Sequence, residues 1–107
     1  MGKQYTIEIT KEDFIAVRFR TYQGKVIKFV VRLMCVIDGR RYEVIRFDSA
    51  HSKPHMDILD TKGKLCGKIW YHYLNNNQAL TMAILDLKAN YEIYRERFIK
   101  WLGPDQQ

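Results

Sequence analysis

Nowhere does the chain approach the roughly 18 consecutive apolar residues that a membrane-crossing helix requires, so no membrane partner is expected. No glycine-rich loop of the kind that cradles a phosphate is present, and no nucleophile elbow surrounds Ser49 or Ser52. That leaves P-loop chemistry and serine hydrolysis without a motif. The two cysteines, Cys35 and Cys66, lie far apart and have no metal-type spacing. They are expected as two reduced, buried thiols, with a Cys35–Cys66 disulfide left open. Repeats, linkers and low-complexity segments are also lacking, and Met1-Gly2-Lys3-Gln4 leads straight into an alternating pattern rather than a signal peptide. A cytoplasmic protein is the expectation.

What is present suits a packed core. The chain has 107 residues, 47% of them hydrophobic and 13% aromatic, which predicts one domain over residues 1–107 and argues against disorder. Eighteen Lys and Arg against twelve Asp and Glu give a net charge of +6. That balance suits RNA or another nucleic acid as partner, and equally suits a protein that uses charge only to stay in solution.

Tyr5 to Ile9 and Phe14 to Tyr22 alternate apolar and polar residues, the period of half-buried strands. Lys25 to Ile37 is the longest β-type run, and Arg40 to Asp48 its return. Gln23-Gly24 and Asp38-Gly39 fit two-residue hairpin turns. Uninterrupted pairing from those turns places Arg18 beside Phe29 and Phe29 beside Asp48. Ile15, Val17, Phe19, Val30, Met34, Val36, Ile45 and Phe47 then share the core face, while Arg18, Arg20, Arg46 and Asp48 converge on the other. Leu65 to Leu74 reads as a further strand, with Trp70 and His72 on one side.

Asn75-Asn76-Asn77 offers N-caps, and Gly103-Pro104 a stop, for a helix from Asn76 to Leu102. Leu80, Ile84, Leu87, Tyr91, Tyr94, Phe98 and Trp101 form its apolar stripe. At 1.5 Å per residue it is roughly 40 Å long, enough to overhang a small sheet and offer a homodimer surface. The predicted fold class is α+β: an antiparallel, meander-like sheet with one long C-terminal α-helix packed on it.

Between strands and helix, Phe47 to Asp60 gathers three carboxylates and two of the three histidines. His55 and Asp57 are two apart, so an extended backbone points both to one face. Pro54 disfavours helical geometry at Lys53, so His51 and His55 are not the i, i+4 pair of a zinc helix. Three readings compete. His51 and His55 act as general acid and base, with Arg18, Arg46 or Lys53 holding a phosphate; such a ribonuclease needs no cofactor. Alternatively His51, His55 and one of Asp48 or Asp57 bind a divalent metal with open positions. In the third, the group is structural: Asp48 caps the turn through Ser49, the histidines satisfy buried carbonyls, and Asp57 and Asp60 sit in turns.

Arg46 to Asp57 follows a pattern of aromatic residue, Asp, two residues, His, three residues, His, then a polar residue two further on. With the Tyr- and Arg-containing helix behind it, this resembles a small prokaryotic family of uncharacterised function. More distantly it is similar to the TumE-type toxins of toxin–antitoxin pairs, which often carry His where this chain has Asp57. The resemblance implies a toxin-like activity, an antitoxin protein as partner, and Asp48, His51 and His55 as site residues. The leading expectation is a small basic ribonuclease with Asp48, His51, His55 and Asp57 catalytic and Arg18, Arg46 and Lys53 binding phosphate. The alternative is a non-catalytic homodimeric interaction module.

Overall fold

The computed structural model describes residues 2–49 and 53–104. In chain order the elements are β1 (Gly2–Glu8), β2 (Asp13–Tyr22), β3 (Lys25–Ile37), β4 (Arg40–Asp48), β5 (His55–Leu59), β6 (Leu65–Trp70) and α1 (Asn76–Leu102). The strands form one antiparallel sheet in sequential order, and α1 packs across one face, chiefly on β3. The α+β meander with a single C-terminal helix is therefore the fold this chain adopts. No helix among the described residues is long and apolar enough to cross a membrane.

Both predicted hairpin turns form. Gln23 (φ 50°) and Gly24 (φ 77°), like Asp38 (φ 51°) and Gly39 (φ 77°), have consecutive positive φ angles. That is the type I′ turn whose twist matches the flanking strands. The register does not run on uninterrupted, however. One bulge between Arg20 and Thr21 leaves Ile27 unpaired, and another between Leu33 and Met34 leaves Val44 unpaired.

Each extra residue inverts the faces of everything beyond it. The first bulge turns β3 over relative to β2, and the second restores β4. Arg18 therefore lies beside Val30, and Val30 beside Asp48, rather than Phe29 in that position. The covered face of β3 carries Phe29, Val31, Leu33, Cys35 and Ile37, not Val30, Met34 and Val36. β2 and the part of β4 beyond Val44 keep their expected faces, so Ile15, Val17, Ile45 and Phe47 join that core, while Glu43 turns over with β3.

Asn75 caps α1. Its side chain accepts from the Gln78 amide at 2.8 Å, and the Gln78 side chain accepts from the Asn75 amide at 3.0 Å. Leu87 and Phe98 are fully buried, and Leu80, Ile84, Tyr91 and Tyr94 pack at the margins. The stripe departs from expectation at its end, because Trp101 is 45% exposed. Ala79 and Ala83 are buried instead, small residues on the side of the helix that meets the sheet.

One buried ion pair fastens helix to sheet. Arg95 reaches Asp13 at 2.5 Å, and the Thr10 hydroxyl donates to the other Asp13 oxygen at 2.8 Å. Cys35 lies next to this pair, and burial, with Asp13 adding to it, pushes its thiol up to about 12. Both cysteines are free, and Cys66 is exposed rather than buried. Strand β6 also ends earlier than expected, at Trp70 rather than Leu74. Past it the Tyr71 amide donates to the Pro54 carbonyl at 2.9 Å, and the chain turns toward the helix.

Candidate functional site

Strand β5 builds the site. Pro54 holds the approach extended, and His55 pairs with Asp48 while Asp57 pairs with Arg46. One row of the uncovered face thus runs through all six strands as Gln4, Arg18, Val30, Asp48, His55 and Trp70. The adjacent row is Thr6, Ala16, Arg32, Arg46, Asp57 and Lys68. The backbone ladder, not a loop, sets these neighbours.

Where the rows cross β4 and β5 the titratable groups converge. His55 Nε2 lies 3.0 Å from Asp48 Oδ1 and 3.6 Å from Asp57 Oδ2. His55 Nδ1 lies 3.1 Å from the Lys53 carbonyl, which can only accept, so Nδ1 carries a proton. His55 is 2% exposed and Asp57 9%. Lys68 Nζ lies 3.1 Å from Asp57 Oδ1, yet that buried oxygen makes no hydrogen bond: the ammonium supplies charge at a poor angle. Trp70 lies beside the cluster, its ring 4.9 Å from that of His55, with Lys68 over its face and His72 stacked on it.

Toward β1 the same face opens into a concavity of about 610 Å³. Arg18, Arg32, Arg41 and Arg46 line it, Phe14, Ala16, Val30 and Met34 contribute its apolar lining, and Asp48 borders it. Glu43, on the same face, bridges two of these guanidiniums. It accepts from Arg46 at 2.7 and 3.1 Å and lies 3.7 Å from Arg32. The hydrogen bonds from Glu43 raise Arg46 above its ordinary value, and Asp48 and Asp57 add to that.

Of the residues expected at the site, Asp48, His55 and Asp57 come together, and Arg18 and Arg46 share their face. Lys53 is exposed and does not line the concavity; its carbonyl orients His55 instead. His51 lies outside the described residues. Asp60 holds the turn before β6, accepting from the Lys62 and Lys64 amides at 2.8 and 2.9 Å. Ser49 ties the end of β4 to β3, accepting from the Phe29 amide at 2.9 Å.

Arg32, Arg41, Glu43 and Lys68 escape the sequence reading. Arg32, like Glu43, falls on the wrong face until the bulges are known. Lys68 is two residues before Trp70, so their shared side was readable; its row was not, because the pairing of β5 carries no turn signature of the Asn-Gly or Asp-Gly kind.

Comparison with curated proteins and with solved structures finds no match. The family described as a domain of unknown function, DUF7718, matches over residues 1–104, nearly the whole chain, and this protein belongs to that family.

Proposed function

We propose that the protein is a small cytoplasmic ribonuclease of toxin-like type, binding RNA across the uncovered face of its sheet and cleaving it at Asp48, His55 and Asp57. One observation carries this: the backbone register aligns three of the concavity's four arginines, Arg18, Arg32 and Arg46, with the Asp/His/Asp group on the same two rows. The guanidiniums match phosphate oxygens in geometry and charge. Arg32, with a side chain 45% exposed and only a 3.7 Å approach to Glu43, has room to reach a ligand. In the reaction the RNA 2′-hydroxyl gives its proton to the carboxylate–histidine group, and its oxygen attacks phosphorus. The 5′-oxygen departs and takes that proton back from the same group, leaving a 2′,3′-cyclic phosphate and restoring the site. The likeness to TumE-type toxins over Arg46 to Asp57 supports the toxin part of the reading and makes an antitoxin protein the natural partner.

The test is cleavage and binding of a labelled single-stranded RNA beside its 2′-deoxy counterpart. RNA is cut and the deoxy strand is not; Asp48→Asn and His55→Ala lose cleavage while keeping the circular dichroism of the fold. Arg18→Ala/Arg32→Ala weakens binding and lowers the salt slope by about 1.4, two contacts at the single-strand value. Binding to RNA no tighter than that of a neutral control protein would overturn the proposal.

A second reading, a homodimeric interaction module, has its own observation. Leu85 and Ile93 stand 60% and 62% exposed on the outer side of α1. In that case the His/Asp group is a structural ion cluster, and light scattering gives a dimer that Leu85→Lys dissociates.

A further inference from the structure

We propose that Asp48, His55 and Asp57 hold a divalent first-row transition-metal ion, of the class of Zn2+ or Mn2+. The inference concerns the same three residues as the proposed cleavage but stands on the free protein and does not need RNA. An ion bound there takes the His55 Nε2 lone pair, so that nitrogen is then a ligand and not the proton acceptor. One ligand atom from each residue lies within 4.8 Å of the others. Because the Lys53 carbonyl fixes the proton on His55 Nδ1, a neutral imidazole turns its Nε2 lone pair toward Asp48 Oδ1 at 3.0 Å and Asp57 Oδ2 at 3.6 Å. Three electron-pair donors facing one another repel unless a positive species sits among them. A proton on Nε2 lies within hydrogen-bond distance of Asp48 alone. A cation satisfies both carboxylates together.

Asp57 is 9% exposed, and its Oδ1 meets the Lys68 ammonium at 3.1 Å without hydrogen-bond geometry. A metal ion held by this carboxylate supplies the positive charge that Lys68 alone supplies in its absence. The surroundings also match those of a ligating histidine, whose distal N–H is characteristically tied to a carbonyl that fixes tautomer and ring orientation. One imidazole nitrogen and two carboxylates favour Zn2+, Mn2+ or Fe2+ over Mg2+ and Ca2+, which prefer all-oxygen shells. Three protein ligands leave positions open for water or a phosphate oxygen. Strand pairing rather than loop conformation holds the three residues, so the site is formed before the ion arrives.

Lys68 competes for the same charge, since its ammonium lies 3.1 Å from Asp57 Oδ1. Replacing it with a neutral side chain therefore tightens metal binding. Arg46 is less of a rival, because Glu43 holds it by two hydrogen bonds.

Calorimetric titration of tag-free, EDTA-stripped protein with Zn2+ decides the matter, with Mn2+ followed in parallel by electron paramagnetic resonance. The expected result is one ion per chain. Binding falls at least tenfold in Asp57→Asn, which preserves shape, and in His55→Ala. It is unchanged in His72→Ala, which removes a neighbouring exposed imidazole, and rises severalfold in Lys68→Met. Absence of saturable binding, or binding that survives both Asp57→Asn and His55→Ala, overturns the proposal. Neither outcome bears on RNA affinity, which the Arg18 and Arg32 variants measure separately.

Discussion

The two faces of the sheet share every strand of their central rows and almost nothing in chemistry. Under the helix, β2, β3 and β4 present Ile15, Val17, Val31, Leu33, Ile45 and Phe47, all essentially removed from water. On the other side the same strands present Arg18, Arg32, Arg46 and Asp48. A sheet needs only one face against a core, so the second is at liberty to carry charge. The difference teaches where to look for function. Packing explains the first set of residues, whereas the arginines around the concavity meet one carboxylate, Glu43, and one ring, Phe14, and are not needed to fill a core.

That contrast can be broken by mutation. Leu33→Ala beneath the helix is expected to cost about 3 kcal/mol in urea unfolding, because it opens a cavity in a fully buried position. Its strand neighbour Arg32, pointing the other way, is expected to change stability by no more than about 0.5 kcal/mol when replaced with Ala. Similar losses at both would mean that the uncovered face is structural after all. Between these extremes lies Arg95→Ala, which leaves the Asp13 carboxylate buried with the Thr10 hydroxyl and the Cys35 thiol beside it but without the guanidinium. A loss of about 2 kcal/mol is expected there, below the range for fully buried pairs because the Arg95 side chain is 20% exposed. Arg95→Lys recovering full stability would show that charge alone suffices and that guanidinium geometry does not matter.

The smallest expected effect concerns Asp60, at the turn that returns β5 to β6. The amides of Lys64 and Lys62 hold its carboxyl below the ordinary value. A group whose pKa is lower in the folded state contributes stability above its unfolded value, near 3.9, and loses it as pH falls through the folded value. Asp60→Ala should therefore destabilise at pH 7, with the difference starting to shrink below about pH 4 and vanishing only once pH has fallen through the lower folded value. A difference that persists unchanged at pH 3 would show that the carboxylate charge has no part in the turn.

Much of this arrangement was legible in the residues. Two type I′ turns are written in Gln23-Gly24 and Asp38-Gly39, and the limits of α1 in Asn75 and Gly103, because each position demands a special backbone conformation or a capping side chain. The site was legible in part. Asp48, His55 and Asp57 could be singled out by type and spacing, and the proline excluded a helical motif. The bulges at Arg20/Thr21 and Leu33/Met34 could not be read, since neither contains a glycine or other local mark. They inverted β3, and with it the placement of Arg32. The burial of Asp13 was hidden as well, because its partner Arg95 lies 82 residues along the chain.

The most direct test of the division between the faces follows the arginine Nε–H resonances of labelled protein during titration with single-stranded RNA. Arg18 and Arg32 are predicted to shift and saturate together, while Arg95, held by Asp13 beneath the helix, stays in place. Movement of Arg95 with Arg18 and Arg32 unperturbed would contradict the assignment of RNA binding to the uncovered face.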